Sequence, residues 1–414
     1  MSVDLDQKKL YQKKLYQKEL EVNSLLEITQ AINNNLAEKD LYKIYEFTLR
    51  ANLQIGKMAL YVMEEEWECK AQFGNKLDFS THPLDSDYFE LSGITKTALI
   101  HPQGSDFTVF DISIPVMHKS KLLAIVFVKS LRNNVPEIET TFLQAISNIM
   151  LVAIENKRLV RRQLDQQAYD RDMEIASNVQ NYLFPKSLPD SEQVEIKAFY
   201  QPCQTVGGDY YDYIPLEDGN QFLVCIADVS GKGVPAAILM SNFQASLRTI
   251  ARNTEEPKAG MHELNYHLYR SANGENFITF FMAIYDLRTK QLRYVNAGHN
   301  PPVLMDDKGE VTLLTEGTTV LGAFDPLPFL NMGVIDDLEK FTLFLFTDGV
   351  TETFNEDEEE FGSERLELFL ASHAEESLDN THKNLLKVLN QFKATKDFTD
   401  DLTFLSCKVN NVSS

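Results

Sequence analysis

The spacing of apolar side chains changes along the 414-residue chain and predicts several regions in succession. In the first residues, charged positions surround a helical seam through Leu15, Val22 and Leu26. Residues 1–20 are therefore predicted to form a charged helix that needs a partner. Further along, a segment with helical spacing is followed by paired β-type runs, which predicts a small α/β domain over residues 21–156.

A long uninterrupted helix is predicted next. No glycine or proline lies between Pro136 and Pro185, and the second half of this segment is densely charged. Such a helix is unlike the short helices of a globular core. We expect residues 157–184 to be a coiled-coil connector helix, and we expect the protein to form a homodimer through it.

The remainder of the chain, residues 185–410, is rich in short β-type runs separated by turn residues. Amphipathic helical segments occur between some of these runs, as in Pro235–Arg252. Strands grouped with flanking helices predict a β-sandwich covered by helices, so the fold class is α+β.

Composition and charge indicate which kinds of binding partner the protein can have. The apolar content of 43% is that of a globular protein, and 39 basic against 61 acidic residues give a formal charge of −22. Such a surface repels phosphate backbones and anionic lipids, so we expect neither nucleic acid nor a membrane as a partner. The longest apolar run, Leu122–Val128, is too short to span a bilayer, and a cytoplasmic location is expected.

The four cysteines, Cys69, Cys203, Cys225 and Cys407, are far apart in the sequence. Their spacing argues against a structural zinc site and against a disulfide framework.

Aspartates recur where predicted buried strands meet turns. Asp209 follows two glycines, Asp228 ends "FLVCIAD", Asp348 ends "FTLFLFTD", and Asp400 and Asp401 precede "LTFLSCKV". A carboxylate at a buried edge is costly without a positive partner, and converging carboxylates repel one another. Each could be a turn residue or helix cap that faces water. We favour the alternative, joint binding of divalent cations, because oxygen-only ligands select Mg²⁺ or Mn²⁺ and the glycines allow close backbone approach.

Five ordered motifs carry a family resemblance: "VGGDYYD", "ADVSGKGVPAAILM", "NAGHNPP", "FTDGVTE" and "DDLTFLSCK". They resemble bacterial PPM-type serine/threonine phosphatases of the sporulation protein E and stress-response regulator branch, relatives of protein phosphatase 2C. The resemblance implies an α-β-β-α sandwich for residues 185–410. The pattern of residues 21–156 resembles a GAF domain, a small sensory module that binds a small-molecule or protein signal.

The same resemblance implies a two-metal centre with two Mn²⁺ or Mg²⁺ ions per catalytic domain. The implied catalytic and metal-binding residues are Asp209, Asp228, Asp348 and Asp400, with the backbone carbonyl of Val229 as a further ligand. Asp228 would bridge both ions, and a shared water would attack phosphorus without a covalent enzyme intermediate. Asp400 is preferred to Asp401 because the family's ligand is the first residue of that pair.

Other residues near these motifs receive lesser roles. Asp212 lies three positions beyond Asp209, on the opposite face of an extended segment, and is interpreted as structural. His299 is expected to shape a loop near the site, and Lys232 could attract phosphate. The acidic run 356–360 is expected to be solvated, and we find no counterpart of the phosphate-binding arginine of eukaryotic relatives.

The implied function is a metal-dependent serine/threonine phosphatase that acts on a phosphorylated regulatory protein, an anti-sigma-factor antagonist, under control of the N-terminal region. One alternative is an inactive phosphatase-fold scaffold or signal-binding module. Another is a nucleotide cyclase, since "GGD" occurs in a cyclase signature, but Tyr210 and Tyr211 follow it here instead of Glu-Phe.

Overall fold

A computed structural model describes residues 2–53, 55–84, 93–101, 104–118, 121–130, 137–216, 219–253, 256–272 and 275–410. The chain divides into two compact units, Met1–Gln167 and Ala168–Ser414, and the division falls inside the predicted connector. In the described part of the chain, no helix combines the length and the apolar character that crossing a bilayer requires.

The first unit combines helices with an antiparallel sheet in the order β2-β1-β5-β4-β3. The first helix continues without a break through residue 20 and ends at Asn33. The elements are α1 (Ser2–Asn33), α2 (Glu38–Asn52), β1 (Ile55–Met63), β2 (Trp67–Phe73), β3 (Thr95–Lys96), α3 (Thr97–Ile100), β4 (Ile112–His118), β5 (Lys121–Ser130) and α4 (Glu137–Asn181).

Both faces of this sheet are covered. On one face, Tyr45 of α2 is fully buried and its hydroxyl bonds Ser147 Oγ of α4 at 2.5 Å. On the other face, aromatic side chains such as Tyr61, Phe107 and Phe127 pack together. Because both of its faces are covered, the central strand β5 has a continuous apolar sequence rather than an alternating one.

The long helix predicted between the two prolines is present as α4. Its later part exposes several large apolar side chains, with Leu164 60% and Ile175 55% exposed. Isolated exposed leucines are ordinary, but a helix that presents several of them is typical of a surface that has a partner.

The second unit contains the remaining strands and helices. They are β6 (Val194–Gln201), β7 (Tyr210–Pro215), β8 (Gln221–Val229), α5 (Val234–Asn253), α6 (Pro257–Ala272), β9 (Ile278–Asp286), β10 (Gln291–Ala297), β11 (Val303–Asp306), β12 (Val311–Leu313), β13 (Gly317–Thr318), β14 (Gly333–Ile335), β15 (Phe341–Phe346), α7 (Asp348–Thr351), α8 (Gly362–Ser372), α9 (Leu378–Lys393) and β16 (Leu402–Val409).

Two sheets form the centre of this unit. The first has the order β13-β10-β9-β8-β7, with β14 paired to β10, and the second has the order β12-β11-β15-β16-β6. Side chains alternate along β8, so that Ile226 packs against the second sheet with Leu345 and Leu405, whereas Cys225 packs under α5. This alternation places one apolar core between the sheets.

Helices cover the outer faces of both sheets. Phe243 of α5 and Leu264 of α6 pack on the first sheet, and Leu366 of α8 and Leu385 of α9 pack on the second. The layers are helix, sheet, sheet and helix, so the predicted helix-covered β-sandwich is confirmed.

An ion pair between a partly exposed arginine and a fully buried aspartate connects α5 to the first sheet. Asp212 of β7 is fully buried, and its carboxylate accepts hydrogen bonds from Arg248 Nε at 2.7 Å and Arg248 Nη2 at 3.0 Å. The hydroxyl of Tyr210 also donates to it. Asp212 lies on the helix-facing side of β7, where it anchors α5.

Replacing Arg248 by methionine should therefore destabilise the unit by roughly 2–4 kcal/mol, because Asp212 would stay buried without its cation. Urea unfolding of the full chain measures this loss. Arg252→Met, one turn further along α5, is the matched control and should change the free energy of unfolding by less than about 0.5 kcal/mol. Asp212→Asn combined with Arg248→Met should recover much of the loss. Equal stabilities for Arg248→Met and Arg252→Met would contradict this role.

Candidate metal centre

The aspartates singled out by the sequence come together at one end of the sandwich. Asp228 lies near the end of β8, Asp348 follows β15, and Asp400 precedes β16. Burial, and then the nearby carboxylates of Asp348, Asp400 and Asp401, raise the pKa of Asp228 to about 8. Residues distant in sequence thus share one electrostatic environment, which isolated turn residues facing water would not.

Asp209 occupies the most buried position of the group, with 1% of its surface exposed. Its carboxylate accepts hydrogen bonds from the hydroxyls of Thr347, at 2.8 Å, and Thr403. Burial, followed by the charges of Asp228 and Asp401, raises the pKa of Asp209 well above its usual range. The two threonines precede Asp348 and follow Asp401, so Asp209 ties the first sheet's loop to the second sheet.

Asp400 and Asp401 have different surroundings. Asp401 is buried and accepts backbone N–H bonds from Cys203 at 2.8 Å and Gly208 at 2.7 Å. Asp400 is partly exposed and pairs with Lys232 Nζ at 2.7 Å. The structure therefore adds Asp401 to the cluster beside Asp400, in a position that also organises the loop before Asp209.

The glycines of the site allow the segments to approach one another closely. A Cβ on Gly207 would lie 2.3 Å from Asp401 Oδ2, and one on Gly208 would lie 3.0 Å from the carbonyl oxygen of Val229. A Cβ on Gly349 would lie 2.1 Å from the Asp401 carbonyl oxygen. The predicted backbone clearance is present, and it accommodates neighbouring segments of the chain itself.

Cys203 lies at the site, although the sequence spacing of the four cysteines gives no indication of this. Its sulfur and one carboxylate oxygen each from Asp400 and Asp401 lie within 4.8 Å of one another. Burial, with a further contribution from Asp401, raises the pKa of the Cys203 thiol to about 11. The position of Cys203, six residues before Asp209 on the same loop, was the available signal.

His299 is buried, and its ring bonds to Phe346 and Thr279. Its Nε2 donates to the carbonyl of Phe346 at 3.0 Å, and its Nδ1 accepts from the hydroxyl of Thr279 at 2.8 Å. Burial lowers the pKa of His299 to about 4, so the imidazole is neutral at pH 7. These bonds connect the loop after β10 to the strand that leads to Asp348. The acidic run 356–360 is exposed.

The donor set fits hard divalent cations. Its oxygen donors are carboxylates and the Val229 carbonyl beside Gly208, and carboxylates are the usual protein ligands of Mg²⁺ and Mn²⁺. The nearby Cys203 sulfur is a weaker donor, because a thiol with a pKa of about 11 is protonated at pH 7. Among the described residues, Lys232 is the cation that pairs with this group. One ammonium group leaves most of the negative charge uncompensated, so further positive charge would stabilise the cluster.

Comparison with known proteins connects this geometry to a family. Residues 218–410 match the family model described as stage II sporulation protein E (SpoIIE). This part of the chain is similar to members of that family. The matched range includes Asp228, Asp348 and Asp400 and begins after Asp209.

Individual relatives extend the similarity beyond the matched range. Phosphoserine phosphatase RsbU of Bacillus subtilis is 29% identical over 331 residues, which are 77% of this chain and 94% of the relative. Phosphoserine phosphatase RsbP of the same organism is 26% identical over 239 residues, 57% of each protein. The solved SiaA-PP2C domain of Pseudomonas aeruginosa shares the fold, with 24% identity, a TM-score of 0.53, and coverage of 59% of this chain and 99% of that domain.

The raised pKa of Asp228 predicts a specific pH dependence. The folded metal-free protein binds a proton at Asp228 up to a pKa of about 8, whereas the ordinary pKa is 3.8. Between these values the folded state holds the extra proton, so this carboxyl makes stability fall as pH rises. In EDTA, wild type should lose more thermal stability between pH 5 and pH 8 than Asp228→Asn.

At pH 8, Mn²⁺ should raise the melting temperature of wild type by roughly 4–10 °C and should have a much smaller effect on Asp228→Asn. Asp357→Asn, in the exposed acidic run, is the charge-matched control and should behave like wild type. The same Mn²⁺ response in Asp228→Asn and wild type would exclude Asp228 as a ligand.

Proposed function

We propose that this chain is a metal-dependent phosphatase that hydrolyses phosphoserine or phosphothreonine on a regulatory protein. The observation that carries the proposal is the convergence of five aspartates at one end of a sandwich whose residues 218–410 match the SpoIIE family model. Two relatives whose sequences align with more than half of this chain are named phosphoserine phosphatases.

The chemistry follows from what the residues can hold. We assign two Mn²⁺ or Mg²⁺ ions to Asp209, Asp228, Asp348, Asp400 and the carbonyl of Val229. When bound, such ions acidify a water and neutralise phosphoryl oxygens. Asp401 orients the loop of Gly208 through its backbone hydrogen bonds, and the threonines hold Asp209 in place. Lys232, partly exposed at the rim, provides a positive charge that attracts the phosphate group.

The regulatory part of the proposal concerns the first unit. We assign it a GAF-like sensory role, which the antiparallel order β2-β1-β5-β4-β3 and the exit through a long helix support. Its signal would be a small molecule or a protein. The substrate we propose is a phosphorylated anti-sigma-factor antagonist.

Two alternatives are less well supported. A catalytically inactive scaffold would have no need to retain mutually repelling carboxylates on four separate segments. A cyclase is disfavoured because Asp228 and Asp401 act electrostatically on the "GGD" aspartate Asp209. Asp228 in turn is close to Asp348 and Asp400, and these later aspartates have no place in a cyclase site.

Phosphate release from a phosphoserine protein in Mn²⁺ tests the activity. Asp228→Ala should lower the rate at least roughly 100-fold, since it removes the residue assigned to both ions. Asp357→Asn should retain wild-type activity. Undiminished release by Asp228→Ala would disprove the assignment, and formation of a cyclic product from GTP would favour the cyclase.

The exposed apolar residues of α4 support a homodimer through this helix. Leu164→Glu combined with Ile175→Glu should convert a dimer to a monomer in analytical ultracentrifugation, because charges would replace apolar side chains at the helix interface. Both side chains are exposed, so the melting temperature of each unit should change little. A matched variant, Gln163→Glu with Glu174→Gln, should remain dimeric. Wild type that sediments as a monomer at micromolar concentration would refute the dimer.

A further inference from the structure

A cavity of about 660 Å³ lies between α5, α6 and the outer face of the first sheet. Its volume is in the range of small-molecule sites, roughly 300–1,000 Å³. Leu223, at the beginning of β8, lies in its wall, whereas Asp228 lies five residues further along that strand, about 17 Å away. The apolar wall is formed by Leu216, Leu223, Leu247, Ile250, Met261, Leu264, Met282 and Ile284.

An arginine interrupts this apolar surface. In the strand register, Ile214 pairs with Leu223, Leu223 with Ile284, and Ile284 with Arg293, so Arg293 continues an apolar row across the sheet. Val295, two positions along β10, packs under the helices on the same face. Arg293 therefore projects from the sheet face that α5 and α6 cover, and it lines the cavity.

A second arginine, Arg252 at the end of α5, lines the same cavity. Neither guanidinium has an ion-pair partner among the described residues, although the chain contains 61 acidic residues. Glu256 also lines the cavity and is the acidic group on its wall. Arg293 is half-buried and Arg252 is exposed at the edge of the cavity. Two unpaired cations beside an apolar wall favour a ligand that carries both an anionic group and an apolar body.

We propose that this cavity is a binding site for an amphipathic anion, with an acyl chain against the apolar wall and a carboxylate or phosphate head on Arg293 and Arg252. The site is separate from the metal centre. Its occupant would contact α5, α6 and the sheet together and would hold α5 in its present position. Because α5 begins at Val234, shortly after Val229, the ligand would act on the helix that follows the metal-binding loop.

The test uses the full-length protein and dodecanoate below its critical micelle concentration, in isothermal titration calorimetry with EDTA. The expected result is saturable binding of one dodecanoate per chain. Dodecyltrimethylammonium has the same chain length with the opposite head charge and should bind at least tenfold more weakly. No saturable binding of dodecanoate, or equal binding of the two amphiphiles, would overturn the proposal.

Variants locate the site independently of activity. Arg293→Gln and Arg252→Gln should each weaken dodecanoate binding roughly tenfold, and Ala251→Phe should abolish it by filling the cavity. Arg270→Gln removes the same charge from an exposed position on α6 that does not line the cavity, and it should bind like wild type. Thermal unfolding establishes that each variant is folded. Unchanged affinity in folded Arg293→Gln or folded Ala251→Phe would place the bound dodecanoate elsewhere and refute the site.

Discussion

Mutual repulsion among carboxylates is the constraint around which the second unit is built. Five of them, Asp209, Asp228, Asp348, Asp400 and Asp401, are held at one end of the sandwich, and burial together with neighbouring charges raises the pKa of Asp209 and Asp228. Left to themselves, these groups would separate or stay protonated. Hydroxyl donors, backbone N–H donors and a lysine hold them in place, and two packed sheets resist their separation. Repulsion at the site thus lowers the stability of the folded unit, and burial of the apolar cores offsets this loss.

The same tension connects stability with function. Cations bound at the carboxylates would relieve the repulsion, so binding energy and folding energy are coupled in this unit. The pair of buried Asp212 and partly exposed Arg248 shows the opposite arrangement, because there the protein supplies its own cation and needs no ion. Asp209 and Asp212, three residues apart on one segment, therefore have different electrostatic surroundings. One faces the other carboxylates, and the other faces the guanidinium of α5.

Much of the site could be selected from the sequence, because a carboxylate next to a buried strand is locally visible in the pattern of residues. Strand periodicity predicts opposite orientations for Asp209 and Asp212, and Asp212 does face α5. The partners of these groups are not local. Arg248 lies 36 residues from Asp212, and the backbone N–H of Cys203 reaches a carboxylate 198 residues away. Neither pairing produces a recognisable residue spacing in the sequence, since each arises from the packing of separate segments.

By itself, the sequence determined the strand-and-helix layers, the long helix and the group of aspartates, because periodicity and residue type are properties of short segments. Tertiary structure decided how Asp400 and Asp401 differ, since one meets Lys232 and the other meets two backbone N–H groups. It also decided that Gly207 clears space for Asp401, and that Arg293 and Arg252 share a cavity. These are relations between segments that become neighbours only when the sheets and helices pack, so no local pattern contains them.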